Sequence, residues 1–516
     1  MSAPMKQTTS VAEEFAASGS DHIYSLSWAE SCKLYWDSFL TPTVKYEQKL
    51  LSHVPVIRND GTDNRVSEII DTPVGVTSGV VHDKEMYIHE VCITNTNGGD
   101  EEPIDIVLVH GYGAALGFFY KNIDGLSSLP NSRLHVIDLL GFGCSGRPRF
   151  PLEKCTNSEN SMMRRVLDAE SFFVDSFEEW RKKRNIKKFV VVAHSLGGYL
   201  MSCYYLKYGR DIVTKIVLVS PVGVEDSDIS LYKRFEEGHD ENGEVLEDTD
   251  MDSWNADDGC EEDRRPDVDR EYEIARHQGV DLTKELTDHI EEEIEFHSGS
   301  DDDDDDDDIA DNASVVSVVT DDENEEHHQH QYHHKHHMRS PSRVEQLMRQ
   351  IKSRVVPGKA LTWLWEHQYT PLDIIRLLGP FSGKMTAVWV RNRFQKVEDP
   401  VQLEDICKYT ARLFLERGSG EYCLGTILAP GSLARLPLCK RLPQQLDASV
   451  PVLLMYGELD WMDKRAGYEL CQAINDNRGR SGVKAKFRIV PDAGHHLYVD
   501  NGPEFERQVL SFIQAV

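Results

Sequence analysis

The chain has 516 residues, 40% of them hydrophobic, and a formal net charge of −32, a length that accommodates one large domain with insertions or two to three domains. Between Glu225 and Ser340 stand 42 acidic and 9 basic residues, a net of −33, so the other 46 acids and 47 bases leave +1 for the rest. The folded part is therefore nearly neutral. That excludes a protein whose whole surface repels anionic partners, and no basic stripe with interleaved aromatics marks a nucleic-acid binder.

The ten cysteines stand singly, with no C-x-x-C pair, which suits a reducing compartment. The first twenty residues lack the apolar core of a signal peptide and the arginines of a presequence. No apolar run is long enough to span a bilayer, so contact with lipid is expected from the surface.

Residues 1–22 are polar and read as a flexible N-terminus; residues 23–224 read as the first part of an α/β core. Tyr24, Trp28, Cys32, Tyr35, Trp36 and Phe39 recur at helical spacing before Pro42. The spacing predicts a helix, and its aromatic face has two readings: packed on the domain, or lying in a membrane interface. Strand-like pieces follow at Gly75–Val81 and Tyr87–Thr94. Ile106–Val109 is an apolar strand running into His110-Gly-Tyr-Gly113, where the N–H of Tyr112 (or Gly113) is a candidate donor to an oxyanion. Leu134–Ile137 is the next strand and runs into the Gly-rich turn Asp138–Pro148.

Phe189–Ala193 reads as a strand buried on both faces, followed by the tight turn His194-Ser-Leu-Gly197 into a helix. A serine at such a turn sits on a strained backbone with its hydroxyl above the sheet. The pattern is A-x-S-x-G, with Ala193 where the usual form has a first glycine. The N–H of Leu196 would supply the second half of an oxyanion hole. Ile216–Ser220 gives a further strand. Strands alternating with helical and Gly-rich segments predict a doubly wound, mostly parallel sheet.

Residues 225–340 contain eight consecutive aspartates, Asp301–Asp308, and a tract with His327, His328, His330, His333, His334, His336 and His337. High charge with few apolar residues predicts a disordered acidic insertion. The histidine spacing is unspecific, and no metal is assigned to it. Residues 341–446, with Trp363, Trp365, Leu378, Phe381, Trp389 and Val390, carry helical spacing. They read as a helical lid over the catalytic face, with plain core packing as the alternative. The second part of the core, 447–516, holds the strand Val452–Tyr456 before Gly457–Asp463. The last strand, Phe487–Val490, precedes Pro491–Asp500, and a helix follows from Pro503.

A serine hydroxyl needs a base to take its proton and an acid to orient that base. Ser195, Asp460 and His495 follow in the order Ser…Asp…His, each after an apolar strand, where an open α/β sheet places its site. Asp463 is the alternate acid and His496 a weaker base. Arg147, Arg149, Lys182-Lys-Arg184, Lys187 and Lys188 read as lipid-phosphate contacts or as solvated surface.

Leu108–Gly113, Asp138–Phe150, Ser195–Gly198, Ser419–Tyr422, Ala429–Gly431 and His495–Asp500 together resemble the abhydrolase 4/5 subfamily of α/β-hydrolases, over about residues 25–224 and 341–516. That group includes proteins related to cardiolipin deacylase and lysophosphatidic acid acyltransferase. The resemblance implies a phospholipase-type acyl hydrolase, or an acyltransferase with acyl-CoA as co-substrate, without cofactor or metal. It makes His495 and Asp500 an H-x-x-x-x-D motif associated with acyl transfer. Read from the residues alone, Asp500 could equally hydrogen-bond the loop that carries His495. The expected partners are a phospholipid or lysophospholipid and a peripheral membrane or lipid-droplet surface. The resemblance points to the mitochondrial inner membrane, the absent presequence to the cytoplasm. The alternative function is a non-catalytic scaffold that activates another lipase.

Overall fold

The central strands are continuous apolar runs because helices cover both faces of the sheet. A computed structural model describes residues 26–58, 64–75, 86–97, 102–151, 160–232, 365, 368–479 and 482–515. Its strands are β1 (Arg65–Pro73), β2 (Tyr87–Asn95), β3 (Ile104–Val109), β4 (Ser132–Ile137), β5 (Phe189–His194), β6 (Val213–Val219), β9 (Val452–Gly457) and β10 (Lys486–Val490). They form one sheet in the order β1-β2-β4-β3-β5-β6-β9-β10. β2 is antiparallel to both β1 and β4, and every pairing from β4 onward is parallel. The order reverses around β3 and β5, so the crevice of this open sheet lies beyond their carboxyl ends. All described residues fall in one compact unit.

The helix Asn160–Lys183 packs on one face of the sheet through Phe173, Phe177 and Trp180, each fully buried. Between β6 and β9 the chain builds a cap from helices Pro371–Leu377, Ser382–Arg393 and Pro400–Leu415, together with the two-stranded ribbon β7 (Leu428–Ala429) and β8 (Leu433–Ala434). Thr370 and Asp373 form a reciprocal capping box at the first of these helices, and Asp399 caps the third, satisfying N–H groups that a helix start leaves open. Phe118, on the segment after β3, meets Trp389, Phe394 and Tyr409 of the cap.

The sequence reading needs three adjustments. β1 was not anticipated, because its exposed alternation Arg65-Val-Ser-Glu is that of a solvated edge. Gly75 follows β1 outside any strand, and the rest of Gly75–Val81 lies outside the described residues. Order runs past Val224: Leu231 is buried with Val166 and Leu436, and its N–H donates to the carbonyl of Arg435. The remainder of the acidic insertion, residues 1–22, Trp363 and the His tract all lie outside the described residues.

The aromatic helix forms as Trp28–Asp37, started by a capping box between Ser27 and Glu30. It packs on the cap chiefly through Ser31 and Leu34, with one edge of its aromatic stripe, Trp28, against Phe381. Ser31 Oγ donates to the carbonyl of Pro380 at 2.7 Å and accepts the N–H of Lys384 at 3.0 Å. Trp28, Trp36 and Phe39 are left 55%, 62% and 67% exposed.

Candidate active site

Ser195 sits at the junction of β5 and the helix Leu196–Lys207 with φ 52° and ψ −117°. A non-glycine residue in that region stores backbone strain that the surroundings must hold. The Ser195 N–H donates to the carbonyl of Val219 at 2.9 Å, fixing the turn to β6. Gly197 must be small, because a Cβ there would overlap the carbonyl of His110. Ala193, fully buried, fills the place of the usual first glycine.

The turn directs Ser195 Oγ to His495 Nε2 at 3.1 Å, and His495 Nδ1 lies 3.1 Å from Asp460 Oδ1. With the acid as acceptor, Nδ1 carries the proton and Nε2 is free to receive one from Ser195. All three residues are buried. Burial alone would raise the carboxyl pKa of Asp460. Hydrogen bonds from His495, Ser220 and the N–H of Met462 outweigh it and hold Asp460 below the usual carboxylate range. Asp463 serves elsewhere: its carboxylate caps the helix Lys464–Arg478 by accepting the N–H groups of Arg465 and Ala466. His496 packs its ring among Phe118, Phe394 and Tyr498.

The loop after β3 lies directly on the serine. A Cβ at Gly111 would come within 2.8 Å of Ser195 Cβ and 3.0 Å of His194 Nδ1, so only glycine fits there. Among the described residues, neither the N–H of Tyr112 nor that of Leu196 meets an acceptor. Asp138 holds this loop to the Gly-rich turn. Its Oδ1 accepts the N–H of Leu116 and its Oδ2 that of Cys144, each at 2.7 Å. Complete burial pushes the Asp138 carboxyl up to about 7 and the His110 imidazole down to about 4, so His110 is a neutral spacer here. Its Nδ1 donates to the carbonyl of Gly111, and its Nε2 accepts the N–H of Leu139.

Asp500 accepts the N–H of Gly494 at 2.8 Å, one residue before His495. It thus braces the loop that carries the imidazole. The segment Ser419–Tyr422 clasps the Gly-rich turn: Ser419 Oγ donates to the carbonyl of Pro148, and the Gly420 N–H reaches Gly141. Arg147, read as a lipid-phosphate contact or solvated surface, is neither. It is largely buried and donates to the carbonyls of Gly141, Gly143 and Arg417. Lys182, Arg184 and Lys187 pair with Glu178, Glu90 and Glu102.

Among the described residues, two clusters have the composition of a metal site, Glu47-His89-Cys144 and Glu90-Cys92-His135. In each, both ring nitrogens of the histidine already face carboxylates. Burial would lower both histidine pKa values, but the carboxylates raise them, His89 to about 10. The arrangement is that of a buried imidazolium, not of a metal ligand.

Sequence reasoning missed residues that touch this site, among them Ser220 and His194. Ser220 Oγ donates to Asp460 Oδ2, and His194 Nε2 meets the carbonyl of His495 at 3.0 Å. The only available signal was their place at the ends of β6 and β5.

The sheet order and the strained serine turn are those of the alpha/beta hydrolase fold, and residues 106–240 match the model of that fold family. Several relatives carry the names of lipid acyltransferases or lipases, in agreement with the abhydrolase 4/5 resemblance. The "Probable 1-acylglycerol-3-phosphate O-acyltransferase" of Oryza sativa subsp. japonica is 24% identical over 422 residues, 81% of this chain and 69% of that one. The "1-acylglycerol-3-phosphate O-acyltransferase ICT1" of Saccharomyces cerevisiae is 23% identical over 469 residues, 86% of each. The "(Lyso)-N-acylphosphatidylethanolamine lipase" of Homo sapiens is 41% identical over 118 residues, 23% of this chain and 30% of that one.

Proposed function

We propose that this protein is a serine acyl hydrolase or acyltransferase of glycerophospholipids working at a membrane surface. The observation that carries the reading is the chain of hydrogen bonds Ser195–His495–Asp460 at a strained strand-to-helix turn. Ser195 Oγ attacks the carbonyl carbon of an acyl ester while His495 Nε2 takes its proton. Asp460 stabilises the imidazolium, and the N–H groups of Leu196 and Tyr112 (or Gly113) face the oxyanion. Collapse of the intermediate expels the lysophospholipid alkoxide, which leaves with the proton from His495. The acyl-serine then passes its chain to water, giving a fatty acid, or to a lysophospholipid hydroxyl, giving a new diacyl lipid. In the transfer direction acyl-CoA is the alternative donor, with its thiol as leaving group. Cardiolipin and phosphatidic acid are the products or substrates to try first, at mitochondrial and lipid-droplet surfaces.

Among the described residues no helix is long and apolar enough to cross a membrane. The surface supports peripheral contact instead. Trp28 packs edge-to-face on Phe381 at 5.3 Å, with Lys384 Nζ 4.3 Å from the Trp28 ring. Trp36 and Phe39 flank Tyr35, and Leu377 is 65% exposed. Exposed aromatics beside a cation suit the headgroup region. At the site itself Trp461 is 53% exposed with its ring 5.1 Å from that of His495, and Leu459 is 70% exposed.

Ser195→Ala should abolish both fluorophosphonate labelling and release of fatty acid from phospholipid vesicles, with the melting temperature unchanged. Undiminished deacylation by that variant would refute the reading. A wild-type protein that takes no label would favour the scaffold instead.

A further inference from the structure

We infer that Ser220 is a positioning residue for the acid of the relay, and that its hydroxyl is the reason a strained backbone is kept at that place. The inference rests on the reading of Ser195, His495 and Asp460 just given and extends it to a residue outside that trio.

Ser220 follows β6, is fully buried, and has φ 45°. Left-handed backbone is where a chain ordinarily places glycine, or asparagine and aspartate, because a Cβ is strained there. Here a serine occupies it. The backbone is held by its neighbour strand: the Ser220 N–H donates to the carbonyl of Met455 in β9 at 2.7 Å. That bond fixes the direction of the side chain, and Ser220 Oγ–H donates to Asp460 Oδ2. The other carboxylate oxygen, Oδ1, faces His495 Nδ1 and the N–H of Met462, each at 3.1 Å.

The two oxygens of Asp460 are thus divided. Oδ1 serves the imidazole, and Oδ2 is taken by the hydroxyl of a residue on the neighbouring strand. Without that donor Oδ2 would be an unmet acceptor in a buried place. The carboxylate could then rotate about its χ2 axis, exchanging which oxygen meets Nδ1. The hydroxyl locks that torsion and keeps the negative charge aimed at His495, the orientation the relay needs when the imidazole becomes charged. No bond is made or broken by Ser220, and it touches no substrate.

Glycine separates the two roles of this position. Ser220→Gly removes the hydroxyl and at the same time relieves the left-handed strain, which offsets part of the cost of leaving Oδ2 unmet, so the protein should still fold. In the full-length chain, with a soluble short-chain ester as substrate, kcat should fall at least tenfold. KM should change less than twofold, and far-ultraviolet circular dichroism should remain that of the folded wild type. The same substitution in an Asp460→Asn background should cost far less, because both changes act on one interaction. A Ser220→Gly protein with wild-type kcat, or full additivity with Asp460→Asn, would overturn the inference. An inactive wild type would instead remove the proposed function, so the two failures are told apart.

Discussion

Asp460 and His495 come from two loops that nearly touch, and one glycine decides how near. A Cβ at Gly457 would overlap the carbonyl oxygens of Ala493 and Gly494. Both belong to the loop that places His495, and the N–H of Leu459 already donates to Ala493. Gly457→Ala should therefore displace the imidazole from Ser195 by about 1 Å. Misplacement on that scale costs on the order of 10²-fold in rate. Steady-state kinetics on a short-chain ester should show kcat reduced by about that factor, while far-ultraviolet circular dichroism stays that of the wild type. The contact also explains why Asp460 was legible in the sequence while its supports were not. An aspartate after an apolar strand and before a histidine loop has a recognisable order. The serine that steadies it, Ser220, is 240 residues away and has no local pattern. Asp463 stayed as the alternate because it follows the same strand, and its use as the cap of the helix Lys464–Arg478 is seen only in three dimensions.

The helix Trp28–Asp37 and the cap carry the lipid question. Periodicity marks a helix and an aromatic stripe, but not which stripe is buried. Here Ser31 and Gly383 decide it: their small side chains let the two helices approach, with a Cβ at Gly383 only 3.1 Å from Ser31 Cα. The bulky rings are left outside. Replacing Trp28, Trp36 and Phe39 together by alanine removes three exposed rings, whose burial in a lipid interface is worth on the order of 1 kcal/mol or more each. Flotation with phospholipid vesicles should show at least about tenfold weaker binding. Turnover of a water-soluble ester should stay the same, because none of the three touches Ser195. The strands were the more readable elements. Runs such as Phe189–His194 and Val452–Gly457 are buried along their whole length and so are apolar without interruption. β1, half exposed, kept the mixed composition of an edge and was missed.

Across the whole molecule, a buried charge ties three layers together. His89 on β2 faces Glu47 of the N-terminal helix Thr43–Leu51 at 2.8 Å and Asp71 of β1 at 2.6 Å. Tyr409 of the cap also donates to Glu47, at 3.1 Å. The folded state raises the imidazole from 6.5 to about 10. The contribution to stability is therefore complete below pH 6.5 and disappears as pH climbs through about 10. Urea unfolding at pH 6.5 and at pH 10 should reveal a loss on the order of a few kcal/mol in the wild type. His89→Gln, which has no proton to lose, should start less stable and decline less over the same interval. Equal declines would contradict the assignment. None of this network was visible from the sequence, since its members are far apart in the chain and none lies in a motif.

The serine turn is built on β5, in the middle of the sheet, whereas the acid and the base hang from β9 and β10 at one border. During synthesis the nucleophile is therefore finished some three hundred residues before its partner, His495, leaves the ribosome. A nascent chain that ends before β9 holds Ser195 but neither Asp460 nor His495. On the proposed mechanism, reactivity toward an acyl ester arrives only with the loop after β10, once Asp460 and His495 join Ser195.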